Sequence, residues 1–188
     1  MWMHGNIKLK IEGLVYEPRE DSFLIYDAIQ SSKVAKMDVL EIGVGSGFLS
    51  IAASKKGWRI TGVDINNDFV ELAEKNALLN GIKIDVFKSD LFDKVKGKYD
   101  LIMFNAPYLP DSDGEKGSET WSDSGTISKF IDECKGYLEK TGKVWLVFSS
   151  LSGLERIVER FEKNGFKVKI VSTKKIPWET LYLIEAII

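Results

Sequence analysis

Residues 39–51 read VLEIGVGSGFLSI. A short apolar run ends in three glycines two positions apart, Gly43, Gly45 and Gly47, and apolar residues then recur at helical spacing. This pattern predicts a strand, a tight turn and a helix. Glycine allows a close approach of the backbone to a ligand, and the first amides of a helix are unpaired donors. We therefore expect a small-molecule site at the turn.

The spacing of the glycines separates the possible ligands. The dinucleotide fingerprint G-x-G-x-x-G would need a third glycine where Phe48 stands, and the phosphate-binding ending G-K-[ST] is also missing. What remains is an acidic residue, Glu41, followed by glycines at alternate positions. This motif resembles the first motif of the class I S-adenosylmethionine-dependent methyltransferases. Taken alone, it leaves open a glycine-rich turn that binds nothing.

The composition favours a globular protein with no nucleic-acid surface. Hydrophobic residues make up 44% and charged residues 29% of the 188 positions, which suits one domain over residues 1–188 with a short amino-terminal extension over about residues 1–20. Lys and Arg number 26 against 28 Asp and Glu, so no overall basic field exists. One cysteine, Cys134, excludes an internal disulfide, and we predict no metal site. Without a signal peptide or spanning apolar run, we expect a cytoplasmic protein.

Strand and helix patterns alternate on both sides of the glycine turn. Strands are predicted at 59–63, 82–87, 99–104, 143–148, 166–171 and 181–188, with a half-exposed strand or hairpin arm near 7–12; helices are predicted from Glu20, at 47–56, from Asn66 or Asn67 to Gly81, at 126–140 and at 151–164. This order predicts an α/β fold with a mainly parallel sheet, helices on both faces and one antiparallel strand near the end. The methyltransferase resemblance implies a Rossmann-like sheet of seven strands in the order 3-2-1-4-5-7-6.

Polar residues follow the carboxyl ends of the predicted strands, where doubly wound sheets bind their ligands. Asp64 closes the second strand, about twenty residues after the glycine turn, where a carboxylate can accept both hydroxyls of a ribose. Asp90 follows the third strand and Asn105 the fourth. Because these residues and the glycines share one rim, a turn without a ligand becomes a much weaker interpretation.

Residues 105–108, Asn-Ala-Pro-Tyr, resemble the (Asn/Asp/Ser)-x-Pro-(Tyr/Phe) motif of methyltransferases that modify planar NH2 groups. The lone pair of such a nitrogen is delocalised, so it attacks a methyl group poorly unless two acceptors hold its hydrogens and a ring fixes its plane. The Asn105 side-chain oxygen and the Ala106 carbonyl can accept those hydrogens, and Tyr108 can stack on the plane. Pro107 keeps Ala106 extended. The alternative is an ordinary turn that ends a strand.

The segment 15–22, VYEPREDS, narrows the resemblance. Together with the glycine motif and residues 105–108, it is similar to the short HemK-related glutamine methyltransferases of archaea and eukaryotes. Those enzymes methylate the glutamine amide in the Gly-Gly-Gln motif of class I peptide release factors. From the residues alone, Glu20 and Asp21 are favourable acids at a helix start. The resemblance instead implies that they shape the cofactor opening.

The resemblance also implies a role for each candidate site residue. Tyr16 and Ser22 would line the methionine end of S-adenosylmethionine, and Glu41 with the turn 43–47 would hold its amino-acid part. Asp64 would bind the ribose, and Asp90 with Leu91 the adenine. The implied cofactor set is Tyr16, Ser22, Glu41, Gly43, Gly45, Gly47, Asp64, Ile65, Asp90, Leu91 and Asn105; the catalytic set is Asn105, Ala106, Pro107 and Tyr108.

Three other activities remain as alternatives. Adenine N6 methyltransferases share the motif at 105–108, but the loop at 109–125 carries five acidic residues and one lysine, which opposes phosphate binding. Protein lysine methylation depends on deprotonation of a cationic amine, and the two acceptors at 105 and 106 matter less for that step. A scaffold that binds the cofactor without catalysis would have no use for the motif.

A partner is expected at the predicted third strand. In the order 3-2-1-4-5-7-6 this strand lies at an open edge, and Ile82, Ile84 and Val86 predict an apolar edge that needs covering. The resemblance implies a small zinc-binding activator protein that adds a strand there. The alternative is a monomer with an adequately protected edge.

Overall fold

The computed structural model describes residues 1–107 and 125–188. Its strands are β1 (Trp2–His4), β2 (Ile7–Leu9), β3 (Asp38–Ile42), β4 (Arg59–Asp64), β5 (Asp85–Lys88), β6 (Tyr99–Asn105), β7 (Leu138–Ser149), β8 (Lys167–Ile176) and β9 (Glu179–Ile187). Its helices are α1 (Glu20–Ser31), α2 (Phe48–Lys55), α3 (Asn67–Leu79), α4 (Thr126–Cys134) and α5 (Leu154–Lys163), with 3-10 turns at Lys135–Tyr137 and Ser150–Ser152. No helix in the described part is both long and apolar enough to cross a membrane.

Seven strands form one sheet in the order β5-β4-β3-β6-β7-β9-β8. Strands β5, β4, β3, β6 and β7 pair in parallel, whereas β9 runs antiparallel to both β7 and β8. When the seven strands of this sheet are numbered in chain order, without β1 and β2 of the hairpin, this is the predicted order 3-2-1-4-5-7-6. The fold class predicted from the sequence is confirmed.

Helices cover both faces of the sheet because its central strands are apolar on both sides. Val39 of β3 faces one core cluster, which includes residues of α1, α2 and α3, and Leu40 faces the other, which includes residues of α4 and α5. Cys134 belongs to the second cluster and is fully buried, and burial raises the pKa of its thiol to about 12. Cys134 therefore serves packing in this cluster.

The first residues form an antiparallel hairpin of β1 and β2. Ile7 and Leu9 are buried and Lys8 is exposed, so the alternation seen in the sequence is confirmed.

Two asparagines one helical turn apart, Asn76 in α3 and Asn80 directly after it, bind this hairpin and the residue after it. Asn80 accepts from the Lys8 N–H at 3.0 Å and donates to the Lys8 carbonyl at 2.7 Å. Asn76 does the same for Lys10, at 2.8 and 3.0 Å, and also donates to the Ser46 carbonyl of the glycine turn at 2.9 Å. The two amides therefore bind the segment much as a neighbouring strand would.

The third strand of the sheet, β5, is shorter than predicted. The Ile82 N–H donates to the Ala77 carbonyl at 2.9 Å, so Ile82 completes the end of α3 and is not part of the ladder. Ile84 and Val86 are each 8% exposed and pack in the core. The prediction of an apolar side-chain edge at Ile82, Ile84 and Val86 is therefore wrong, because these side chains point into the protein. Strand β5 is still the sheet edge, with β4 as its neighbour in the described part.

Two further boundaries differ from the prediction. Helix α4 ends at Cys134 instead of residue 140, because a 3-10 turn follows and β7 begins at Leu138. A β-carbon at Gly142 would lie 2.8 Å from the Tyr99 carbonyl, so glycine is needed where the early part of β7 passes close to β6. Strands β8 and β9 are longer than predicted and meet in a two-residue turn at Pro177 and Trp178.

Candidate active site

A cavity of about 450 Å³ lies at the carboxyl ends of β3, β4 and β6, next to the start of α1. Most of the predicted site residues line it: Tyr16, Ser22, Glu41, Gly43, Gly45, Asp64, Ile65, Asp90, Leu91, Asn105, Ala106 and Pro107. Gly47 is not among the lining residues, and Tyr108 falls outside the described residues. The sheet topology thus brings together groups that lie far apart in the sequence.

Gly47 contributes to the site by allowing close packing. It precedes α2 with a φ of 81°, and a β-carbon there would lie 3.1 Å from the Ala73 Cα of α3. A larger residue would push the two helices apart and strain the backbone. The glycine therefore sets the position of the turn against α3.

Glu41 is a buried carboxyl group at the base of the cavity. It is 3% exposed, and the Ser50 hydroxyl donates a hydrogen bond to its Oε2. Burial raises the pKa of Glu41 to about 8, so without a ligand the group is largely protonated at neutral pH. A cationic ligand would favour its ionised form.

Asp64 holds the glycine turn in place. Its Oδ2 accepts from the Gly45 N–H at 3.0 Å, and its Oδ1 accepts from the Asn66 N–H at 2.9 Å. Burial raises the pKa of Asp64, although these backbone hydrogen bonds act in the opposite direction. The carboxylate lines the cavity and has lone pairs left to accept from a ligand hydroxyl.

The turn after β5 closes another side of the cavity. Leu91 has a φ of 44°, which is uncommon for a residue with a side chain. Ser89 stabilises this conformation, since its hydroxyl donates to the Leu91 carbonyl at 3.1 Å and accepts from the Lys94 N–H at 3.0 Å. Asp90 is about half exposed and has the Lys129 ammonium at 3.8 Å. Ser89 was not among the predicted site residues.

Asn105 carries the most informative group of the site. Its Nδ2 donates to Asp21 Oδ2 at 3.1 Å and to Ser22 Oγ at 3.3 Å. Its Oδ1 is buried and has no hydrogen-bond partner among the described residues. Leaving a buried acceptor unpaired costs about 1 to 3 kcal/mol, so the arrangement indicates a place for a donor from a ligand.

Asp21 is the residue that sequence-based prediction undervalued. It is 2% exposed, and its Oδ1 accepts from the Ser22 N–H at 2.6 Å while its Oδ2 faces Asn105. The start of α1 therefore orients the Asn105 amide, with its nitrogen towards the helix. The sequence signal was the pair Asp-Ser at a helix start, which favoured capping equally well.

Comparison with known proteins assigns a family to this geometry. The chain matches the methyltransferase small domain family over residues 21–175. It belongs to this family of methyltransferases. A predicted protein N5-glutamine methyltransferase of Methanocaldococcus jannaschii is 46% identical over an alignment of 189 positions that covers 96% of this chain and 95% of that protein. The release factor glutamine methyltransferase of Streptococcus pneumoniae is 29% identical, over 83% of this chain and 61% of that protein.

A solved structure supports the fold of this methyltransferase. The Mtq2–Trm112 complex of E. cuniculi, which methylates the translation termination factor eRF1, superposes with a TM-score of 0.74 at 23% identity, over 92% of this chain and 98% of that chain. The cofactor of the methyltransferase is S-adenosylmethionine, as predicted. The described residues fit this cofactor, because Glu41 and Asp64 provide two carboxyl groups at separate points of the cavity wall.

Proposed function

We propose that the methyltransferase transfers the methyl group of S-adenosylmethionine to the side-chain amide nitrogen of a glutamine, in the Gly-Gly-Gln motif of a class I peptide release factor. The observation that carries this proposal is the buried, unpaired Oδ1 of Asn105. A primary amide presents two N–H donors in one plane, and such a donor satisfies this acceptor. The named activities of the relatives from Methanocaldococcus jannaschii and Streptococcus pneumoniae support the choice of glutamine.

The second acceptor in this proposal is the Ala106 carbonyl. Ala106 is buried, and its N–H donates to the Val147 carbonyl of β7 at 3.1 Å, which fixes the backbone at the end of β6. Pro107 keeps this segment extended. Tyr108 is assigned the role of stacking on the amide plane. Two acceptors and a ring would hold the glutamine amide for in-line attack, so positioning and stabilisation of the developing charge supply the rate.

Asp21 and Ser22 decide which face of Asn105 the substrate meets. Both act as acceptors for the Asn105 Nδ2, so the amide cannot flip without placing its oxygen against them. The oxygen is thereby kept available for the substrate. The same contacts would hold the Asn105 side chain still during the reaction.

The cofactor would be held by three carboxyl groups and two turns. S-adenosylmethionine supplies an electrophilic methyl group on its sulfonium. Glu41 would face its ammonium, Asp64 its ribose hydroxyls, and Asp90 with the backbone of Leu91 its adenine. Tyr16, Ser22, Ile65 and the glycine turn 43–47 complete the proposed binding set. A cytoplasmic location is part of the proposal, since release factors act on ribosomes.

A small zinc-binding activator protein is proposed to pair with the edge of β5. Support comes from the partner in the E. cuniculi complex and from the edge position of β5. Because Ile84 and Val86 are buried, the contact would use the backbone of residues 85–88 more than apolar side chains. Hydrogen exchange on addition of the partner tests this point: amides 85–88 should exchange more slowly, and unchanged exchange together with unchanged turnover would exclude the pairing.

The function is tested with labelled S-adenosylmethionine and a full-length class I release factor. Label should enter the wild-type factor and should be absent when the motif glutamine is replaced by Asn or Ala. Mass spectrometry of the product locates the methyl group on a glutamine, a lysine or neither. Transfer to DNA or RNA adenine, or to a lysine, would replace the proposal with one of the alternatives. A protein that binds the cofactor but methylates none of these substrates would be a scaffold.

A further inference from the structure

The turn between β8 and β9 lies on the same rim of the sheet as Asn105. Asn105 pairs with Val147 of the parallel strand β7, and Val147 pairs with Leu183 of the antiparallel strand β9. Trp178 precedes Leu183 by five residues and therefore extends past the rim. At about 3.3 Å per residue, the turn stands roughly 16 Å above the level of Asn105 and about 10 Å, or two strand spacings, to one side.

Trp178 is 98% exposed and has a φ of 73°. Ile176 pairs with Glu179, so Pro177 and Trp178 are the two central residues of the turn. Proline followed by a residue at positive φ is the pattern of a type II turn, which prefers glycine or asparagine at the second position. A tryptophan here strains the backbone and buries almost none of its own surface. Strain that brings no benefit to the fold is typical of functional positions.

The base of this turn is held firmly against the end of β7. The Ser149 hydroxyl donates to the Glu179 carboxylate and accepts from the Leu151 N–H at 3.1 Å. The Thr180 N–H donates to the Ser150 hydroxyl at 3.0 Å. Leu151 is itself 41% exposed. Two apolar side chains, one from the turn and one from the adjacent 3-10 segment, are thus presented from a fixed base.

We propose that Trp178, together with Leu151, binds the substrate protein at a segment away from the methylated glutamine. This inference rests on the proposed function, because it takes the substrate to be a release factor. A distance of about 19 Å from Asn105 corresponds to at least five extended residues. The contact therefore lies beyond the reach of a short peptide centred on the glutamine. A fully exposed aromatic side chain on a turn whose base is fixed by hydrogen bonds suits an apolar side chain of the partner.

The test replaces Trp178 with glycine. Glycine adopts positive φ without strain, so the Tm of Trp178→Gly should equal or exceed that of the wild type. Methyl transfer to a full-length release factor should show a kcat/KM lower by about tenfold, mainly through KM. Transfer to a peptide of about five residues with the glutamine in its centre should be unchanged. Trp178→Phe should keep most of the wild-type kcat/KM with the full-length factor.

Ile170→Ala is the matched control, since Ile170 is 49% exposed on the same hairpin but far from the turn. It should leave both substrates unaffected. The inference is overturned if Trp178→Gly methylates the full-length factor as the wild type does, or if it loses activity equally on the short peptide. Failure of the wild-type protein to methylate the full-length factor would instead overturn the proposed function, and this inference with it.

Discussion

Replacing Asn105 with alanine should stop methyl transfer while leaving the fold intact. The change removes the 3.1 Å hydrogen bond from Nδ2 to the Asp21 carboxylate, with a net value of about 1.5 to 3 kcal/mol, and the 3.3 Å bond to the Ser22 hydroxyl, with a net value of about 0.5 to 1.5 kcal/mol. It also removes the unpaired buried Oδ1, whose burial costs about 1 to 3 kcal/mol. Because these contributions oppose each other, the free energy of unfolding should change by only about 1 kcal/mol, or roughly 2 to 4 °C in Tm.

The effect of Asn105→Ala on the rate should be far larger. An acceptor that acts on the developing charge contributes about 2.7 to 4 kcal/mol, so kcat should fall by about 10² to 10³. The assay is single-turnover transfer of a labelled methyl group to a release factor at saturating cofactor. Calorimetry on the same preparation measures the affinity for S-adenosylmethionine, which should survive at least in part.

Ser22→Ala is the matched control for this prediction. It removes only the longer of the two contacts, so Asp21 still orients the Asn105 amide and kcat should fall by less than about tenfold. An Asn105→Ala variant that keeps more than about a tenth of kcat would refute the role of Oδ1 as substrate acceptor. If cofactor affinity falls in proportion to the rate, Asn105 acts by binding the cofactor and not the substrate amide.

Three other changes test the cofactor end of the site. Asp64→Ala should weaken cofactor binding before it slows transfer, with Asp64→Asn as the control that keeps the shape; wild-type affinity by calorimetry would contradict the ribose assignment. Between about pH 4.5 and 8, Glu41 is protonated in the folded protein and ionised in the unfolded chain. The free energy of unfolding of the ligand-free protein should therefore fall as the pH rises through this range. Urea titrations of Glu41→Gln should show no such dependence. Gly47→Ala should lower stability by about 1 to 3 kcal/mol in urea titrations, because of its positive φ and the contact with Ala73, with a smaller effect on cofactor affinity; unchanged stability would exclude the packing role.

Much of the architecture follows from local patterns. The apolar run before Gly43 and the helical spacing after Gly47 predict a strand and a helix without any knowledge of their neighbours. The order of the strands in the sheet came from the family resemblance and is confirmed by the pairing. Ile82 was misassigned because a helix ending and a strand beginning are equally consistent with an apolar residue after Gly81.

The site was harder to predict wherever a role depends on distant packing. Asp21 and Asn105 are 84 residues apart in the chain, so their hydrogen bond becomes visible only after α1 is placed against β6. Gly47 fits a ligand motif in the sequence, yet its nearest neighbour is α3. No sequence pattern marks Trp178, because its exposure and its positive φ are properties of the folded hairpin.

The Asn76 side chain couples the docking of the amino-terminal segment to the binding of the cofactor. One amide binds both polar groups of the Lys10 backbone and the Ser46 carbonyl of the glycine turn. Any ligand that orders the glycine turn therefore also favours the docked form of the segment, and the coupling is reciprocal. Protease cleavage ahead of Tyr16 should consequently slow when S-adenosylmethionine is bound. A tag at the first residue that disturbs docking of the segment should lower the affinity for the cofactor.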